Sequence, residues 1–405
     1  MAPRPAAAPL GLLLLAALTS AAAAAPKLNL LYFIVDDLRP ELEAYGVPAA
    51  LTAGSPNIAA LAREGLVFER AYAQQAVCGP SRNSFLSGRR PPTTQTYTFA
   101  NSFRDVGPEW TSMLGFFKSK GYSVAGVGKI YHPHSPPEDD GAKSWSEAFL
   151  PYPEWSQGGD PCPGGPDHDA FAERPARRRA EEGGAPTPAD AAWGPACPMP
   201  DDANLTDTNS ADVALADLAV LTKSPNPFVM AVGFHSEPSL HLPPLLSESV
   251  IDASGLRTEP HLPWAVPSRY YDMAPATAAV PLAVHTAPPT GMPSLAFWSC
   301  SESELAGYSN VNINTSSPLD DELARSWRRG YYASVRYTDD LIGRVLAGLE
   351  QAGKTEETVV VLHGTIVMLS RFVALSVSLQ HEKHRYCRRP WVAARRTRYL
   401  VQADV

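Results

Sequence analysis

Leu28-Asn29-Leu30-Leu31-Tyr32-Phe33-Ile34-Val35 is an almost unbroken apolar run that stops at Asp36-Asp37. A strand that is apolar on both faces must be covered on both faces, so the run predicts a central strand of a parallel sheet between helical layers. Tyr122 to Val127, Phe228 to Val232 and Thr358 to Leu362 read the same way, and Leu66-Val67-Phe68 is a shorter candidate. Helices fall between these runs. One is opened by Ser55-Pro56, with Ile58, Leu61 and Ala62 on one face and Gly65 as its stop. Others run over Trp110 to Lys120, over the stripe Ala211, Leu215, Leu218, and over Leu323 to Gln351 as one or two pieces. The alternation is that of an α/β fold, a mostly parallel sheet flanked by helices. No internal repeat is visible.

In open α/β sheets ligand sites collect at the carboxyl ends of the strands. Asp36 and Asp37 stand at such an end, where adjacent acids are costly unless paired or bound to a cation. A metal is favoured; a helix N-cap with a solvated neighbour is the alternative. Lys129 and His132 follow the second long run and His235 follows the third, although a lone Lys or His at a strand end is ordinarily solvated.

The segment Gln74-Gln75-Ala76-Val77-Cys78-Gly79-Pro80-Ser81-Arg82 continues to Leu86-Ser87-Gly88-Arg89. Pro80 suits the first position of a helix and Gly88 its end, which sets Cys78 at the mouth, where free N–H groups favour anions. A buried structural cysteine is the competing local reading. Cys-x-Pro-Ser-Arg-x-x-x-Leu-Ser-Gly-Arg resembles the first signature of the sulfatase family. Gly121-Tyr122-Ser123 with Val127-Gly128-Lys129 and His132 resembles the second, at the family's spacing. The Gly233-Phe234-His235 turn and the Tyr331 to Asp339 segment are also similar. The resemblance covers about Lys27 to Leu362.

This likeness implies an alkaline-phosphatase/sulfatase-like fold and hydrolysis of a sulfate ester. It implies that Cys78 is oxidised to formylglycine by a formylglycine-generating enzyme, giving a hydrated aldehyde whose one hydroxyl attacks sulfur while the other later expels sulfate. Asp36, Asp37 and the modified Cys78 are the implied ligands of Ca²⁺, which prefers oxygen. Arg82 is expected to orient the nucleophile and Lys129 to neutralise sulfate charge. His132 is expected to hold or deprotonate the nucleophile, and His235 to protonate the leaving alcohol. The implied substrate is a sulfated glycosaminoglycan and the implied destination the lysosome. A non-enzymatic secreted relative that binds sulfated glycan or a protein partner is the alternative. A phosphoester hydrolase of the same superfold would want Ser or Thr where Cys78 stands.

The pattern also departs from the family. The usual Lys-Pro-His after the third strand is replaced by Ser236-Glu237-Pro238-Ser239-Leu240-His241, and no acid follows Leu362, where the family supplies a further metal ligand before His-Gly. Weak Ca²⁺ binding and little turnover are therefore expected. By the same resemblance the C-terminal subdomain is expected to be missing, and residues 365–405 read as a divergent tail with basic residues from Lys383 to Arg398, expected as a disordered end. A sheet cut at Leu362 is expected to leave an open edge.

Residues 1–25 read as a secretory signal: Arg4, the apolar run Leu10 to Leu18, then small residues. No stretch is long enough to span a membrane, so residues 26–364 are the expected domain, exposed to an oxidising compartment. The net charge of -8 gives no general case for nucleic acid binding. Five cysteines leave one unpaired or modified; Cys162 and Cys197, which bracket a Pro/Gly/Ala-rich loop, form the expected disulfide, and the pairing of Cys300 and Cys387 is open. Asn204-Leu205-Thr206 and Asn314-Thr315-Ser316 are glycosylation sequons. Residues 151–200, with the solvated run Arg177-Arg178-Arg179, and residues 243–318 read as long irregular loops.

Overall fold

The computed structural model describes residues 27–75, 77–133, 135–146, 196–203, 205–234, 264–283, 321–365 and 398–404, the last for the backbone alone. The signal segment, both sequon asparagines, His235, Cys162, Cys300, Cys387 and the Arg177 run lie outside the described residues.

The strands are β1 Asn29–Val35, β2 Gly65–Tyr72, β3 Ser123–Gly128, β4 Ala196–Met199, β5 Phe228–Phe234, β6 Trp264–Pro267, β7 Thr358–Gly364 and β8 Arg398–Asp404. Six form one sheet in the order β2-β8-β7-β1-β5-β3, and every neighbouring pair is parallel. The apolar run of β1 is buried at every position, as its two-sided hydrophobicity requires. Leu31, Phe33 and Val35 face one layer. Leu30, Tyr32 and Ile34 face the other.

The longer helices are α1 Pro56–Glu64, α2 Cys78–Ser87, α3 Met113–Ser119, α4 Thr206–Leu221 and α5 Asp321–Gln351. Ile58 of α1, Ala211 and Leu218 of α4, and Trp327, Tyr331 and Ile342 of α5 pack in the first layer. Leu86 of α2 and Leu114 of α3 pack in the second. The steps from β1 to β2, β3 to β5 and β5 to β7 pass over the first layer and the step from β2 to β3 over the second, so these four share one hand. α1 is tied to α5 through Asp339, which accepts Asn57 N at 3.1 Å, Asn57 Nδ2 at 2.9 Å and Ile58 N at 2.7 Å. Two orphan donors of the helix N-terminus are thereby satisfied.

The Leu323 to Gln351 helix, left open as one or two pieces, is the single helix α5. Other expectations are corrected. α2 begins at Cys78 itself, not at Pro80, although Gly88 does end it with φ 66°. The loop-rich stretches contribute β4 and β6, which pair in parallel, and a short helix Ser268–Met273. The tail is not wholly irregular: β8 lies between β2 and β7, pairing Gly65 with Arg398 and Leu362 with Leu400. β7 is therefore not an open edge. On β2 itself Leu66, Phe68 and Tyr72 remain exposed.

Candidate active site

The site gathers at the carboxyl ends of β1, β3 and β7. The backbone N–H of Asp36 donates to Phe234 O at 3.0 Å and that of Lys129 to Gly233 O at 3.1 Å, so both residues are placed by continuation of the sheet. Gly128 permits this: its φ is +78°, and a Cβ there would stand 2.1 Å from Gly233 O.

Asp36 lies between two cations. Arg82 Nη2 is 2.9 Å from Oδ1 and Lys129 Nζ is 2.7 Å from Oδ2, with all three side chains essentially sealed from solvent. Arg82 also donates to the carbonyls of Lys129 and Ile130. Its planar fork thus fixes the start of the β3 exit loop against α2. Burial alone pulls the Lys129 ammonium down, but the Asp36 carboxylate and the charge of a Cys78 thiolate push it up, and the net shift is upward. Lys129 is charged.

Cys78 is the first residue of α2, is buried and lies outside any disulfide. Its neighbour Gly79 has no side chain because a Cβ would meet Phe99 at 2.9 Å and His132 Cγ at 3.6 Å. The His132 ring stacks on Phe99 with centroids 4.7 Å apart. Its Nδ1 is 3.1 Å from the Pro133 carbonyl, an acceptor only, so Nδ1 carries the hydrogen and Nε2 is the atom able to exchange a proton. Asp37 has φ 51°, and its carbonyl accepts Tyr331 Oη at 3.1 Å.

Of the residues expected from sequence, Asp36, Arg82 and Lys129 are in direct contact, with Cys78 and His132 on the adjoining turn. Sequence reasoning missed Thr365, whose hydroxyl donates to Asp36 Oδ1. It also missed Asn83, which accepts Phe103 N at 2.8 Å and donates to Ser135 Oγ at 3.1 Å, bracing the loop that carries His132. Thr365 lies just past a strand and Asn83 is a polar residue inside a short helix, so neither carries a periodic signal that could have singled it out.

The expected Ca²⁺ set does not fit this arrangement. Both Asp36 oxygens already face cations, Arg82 at Oδ1 and Lys129 at Oδ2. Among the described residues no group of three or more His, Cys, Asp or Glu side chains is placed to hold a metal. A Ca²⁺ ion takes about six to eight oxygen ligands.

The sulfatase family model matches residues 28–364. The chain belongs to the sulfatase family. Iduronate 2-sulfatase of Homo sapiens is 32% identical over 352 residues, which cover 84% of this chain and 55% of that protein. Iduronate 2-sulfatase of Mus musculus is 32% identical over 355 residues, covering 85% and 56%. The chain thus spans little more than half the length of these sulfatases. Among solved structures, a Bacteroides thetaiotaomicron protein assigned as a sulfatase superposes with a TM-score of 0.50 at 15% identity, over 86% of this chain and 62% of that one. That likeness bears on the fold, which is the sulfatase-like parallel sheet flanked by helices. Among the described residues no helix is long and apolar enough to cross a membrane.

Proposed function

We propose that the Cys78 site is that of a sulfuric ester hydrolase of the iduronate 2-sulfatase kind, acting on the 2-O-sulfate of terminal iduronate in heparan or dermatan sulfate. The observation that carries this reading is the buried pair Arg82 and Lys129 behind a cysteine at a helix N-terminus. Two fixed cations in a water-poor pocket stabilise charge on sulfate oxygens without reorganising.

Cys78 is the precursor of formylglycine, which when present supplies a hydrated aldehyde oxygen as nucleophile. Cys78 is 1% exposed, so the formylglycine-generating enzyme must reach it before the chain folds, in the secretory pathway on the way to the lysosome. Arg82 holds the first turn of α2 against the β3 exit loop and so orients residue 78. Lys129 neutralises the sulfate group. His132 Nε2 takes or returns the nucleophile's proton. His235, outside the described residues, is the proposed acid for the leaving alcohol. No step is assigned to Ca²⁺, and turnover is expected to be low. That deficit favours the second reading, a secreted relative that binds sulfated glycan or a protein partner without cleaving it.

The test is desulfation of a 2-sulfated iduronate substrate at acidic pH, with the purified chain beside Cys78→Ala. Release of sulfate by the chain and none by the variant supports the hydrolase. Equal, background release from folded, formylglycine-bearing protein refutes it and leaves the binding reading. Mass spectra of the peptide around Cys78 showing only unmodified cysteine, in protein from secretory cells, would refute the conversion.

A further inference from the structure

Thr365 follows β7 directly and is 1% exposed. Three bonds tie it to two separate pieces of the site. Its N–H donates to Val35 O at 3.2 Å, its hydroxyl donates to Asp36 Oδ1, and its carbonyl accepts Ser81 Oγ at 2.9 Å. Val35 and Asp36 end β1, while Ser81 lies in the first turn of α2, three residues beyond Cys78. Gly364 lets the chain pass close enough, since a Cβ there would stand 2.5 Å from Leu38 O.

A cation at this place would need further carboxylates to outweigh Arg82 and Lys129. Among the described residues, the chain leaving β7 presents a neutral hydroxyl to Asp36 Oδ1 instead. That hydroxyl and the Arg82 guanidinium both face Asp36 Oδ1, and the carbonyl on the same residue fastens the nucleophile helix.

We propose that Thr365 is a positioning residue that does by hydrogen bonding what a bound cation would otherwise do, joining Asp36 to the Cys78 helix in a charge-balanced site independent of Ca²⁺. The inference rests on the sulfatase reading only for the expectation of a cation. Its test reads cation binding and helix order, not turnover, so it fails or stands separately from the hydrolase assignment.

Thermal melting and calorimetric titration of the full chain are run with CaCl2 and with EGTA. The expected result is one melting temperature in both and no one-site heat. Thr365→Asp supplies a third carboxylate beside Asp36 and Asp37 and is expected to bring a Ca²⁺-dependent rise of several degrees, reversed by EGTA. Hydrogen exchange then separates positioning from bulk packing. Thr365→Val should raise exchange in the first turn of α2 by about tenfold or more while α5 is unchanged, and Thr365→Ser should restore protection. A one-site Ca²⁺ titration of the unaltered chain overturns the proposal. So does a folded Thr365→Asp protein blind to Ca²⁺, or a Thr365→Val protein with wild-type protection in α2.

Discussion

Tyr32 donates its hydroxyl to His363 Nε2 across 2.6 Å, while His363 Nδ1 donates to Gly364 O at 2.8 Å, so the imidazole between β1 and α2 is held as a neutral tautomer. Burial pushes its pKa down to about 4, with Arg82 adding to the fall and the Gly364 carbonyl opposing it. The folded value lies below the usual 6.5, so the unfolded chain takes up the proton first as pH falls. Stability contributed by neutral His363 is complete above about pH 6.5 and is lost between there and about pH 4, with a limiting slope of about 1.4 kcal/mol per pH unit. Urea midpoints across this range should fall with acid, and His363→Gln should flatten the fall.

Asp339 works in the opposite direction. Burial lifts its carboxyl from 3.8 to about 6, against the hydrogen bonds from Ile58 and Asn57 that lower it. The folded chain therefore binds this proton more readily than the unfolded chain, and its contribution grows as pH falls from about 6 to about 4. The change is on the order of 3 kcal/mol. Asp339→Asn should remove that compensation and leave a steeper acid loss than the unaltered chain shows, read by the same urea series.

Arg82→Met should cost about 3–5 kcal/mol, because Asp36 keeps only one of its two cations and the carbonyls of Lys129 and Ile130 lose their donor. Arg82→Lys should recover little of it, since an ammonium cannot span a carboxylate and two carbonyls at once. Chemical denaturation of both variants checks the order.

Two glycines with similar backbone angles should respond differently to alanine. Gly46 has φ +83° with nothing within 4 Å of an added Cβ, so Gly46→Ala should cost only about 1–2 kcal/mol of backbone strain. Gly128→Ala meets the Gly233 carbonyl at 2.1 Å in addition. It should separate β3 from β5 and displace Lys129, giving little soluble protein. Expression yield and denaturation midpoints of the pair measure the difference.

The central strands were legible because burial on both faces leaves a continuous apolar run, and β1, β3, β5 and β7 stand where those runs are. The charged part of the site was legible for another reason: Asp36 and Lys129 each follow such a run, and Arg82 belongs to a fixed motif with Cys78. Thr365, Ser81 and Asn83 were not, since each acts through backbone groups brought together only by the fold. The start of α2 was misplaced because Pro80 tolerates any position in a helix's first turn, where its missing N–H has no partner to lose. β8 was hidden because Arg398 to Asp404 is mixed in character and is held by its two neighbours in the sheet, not by an apolar pattern of its own.

The position of β8 has a consequence for how the sheet is built. Among the described residues β2 pairs only with β8, Gly65 against Arg398 and Tyr72 against Asp404. An early segment therefore waits for one far along the chain before its backbone amides are satisfied. Until then the emerging chain carries a dangling β-ribbon studded with Leu66, Phe68 and Tyr72, and closing it demands a contact of very long sequence separation. Folding yield is for that reason expected to depend on keeping this ribbon apart from other exposed strands until Arg398 to Asp404 is in place beside it.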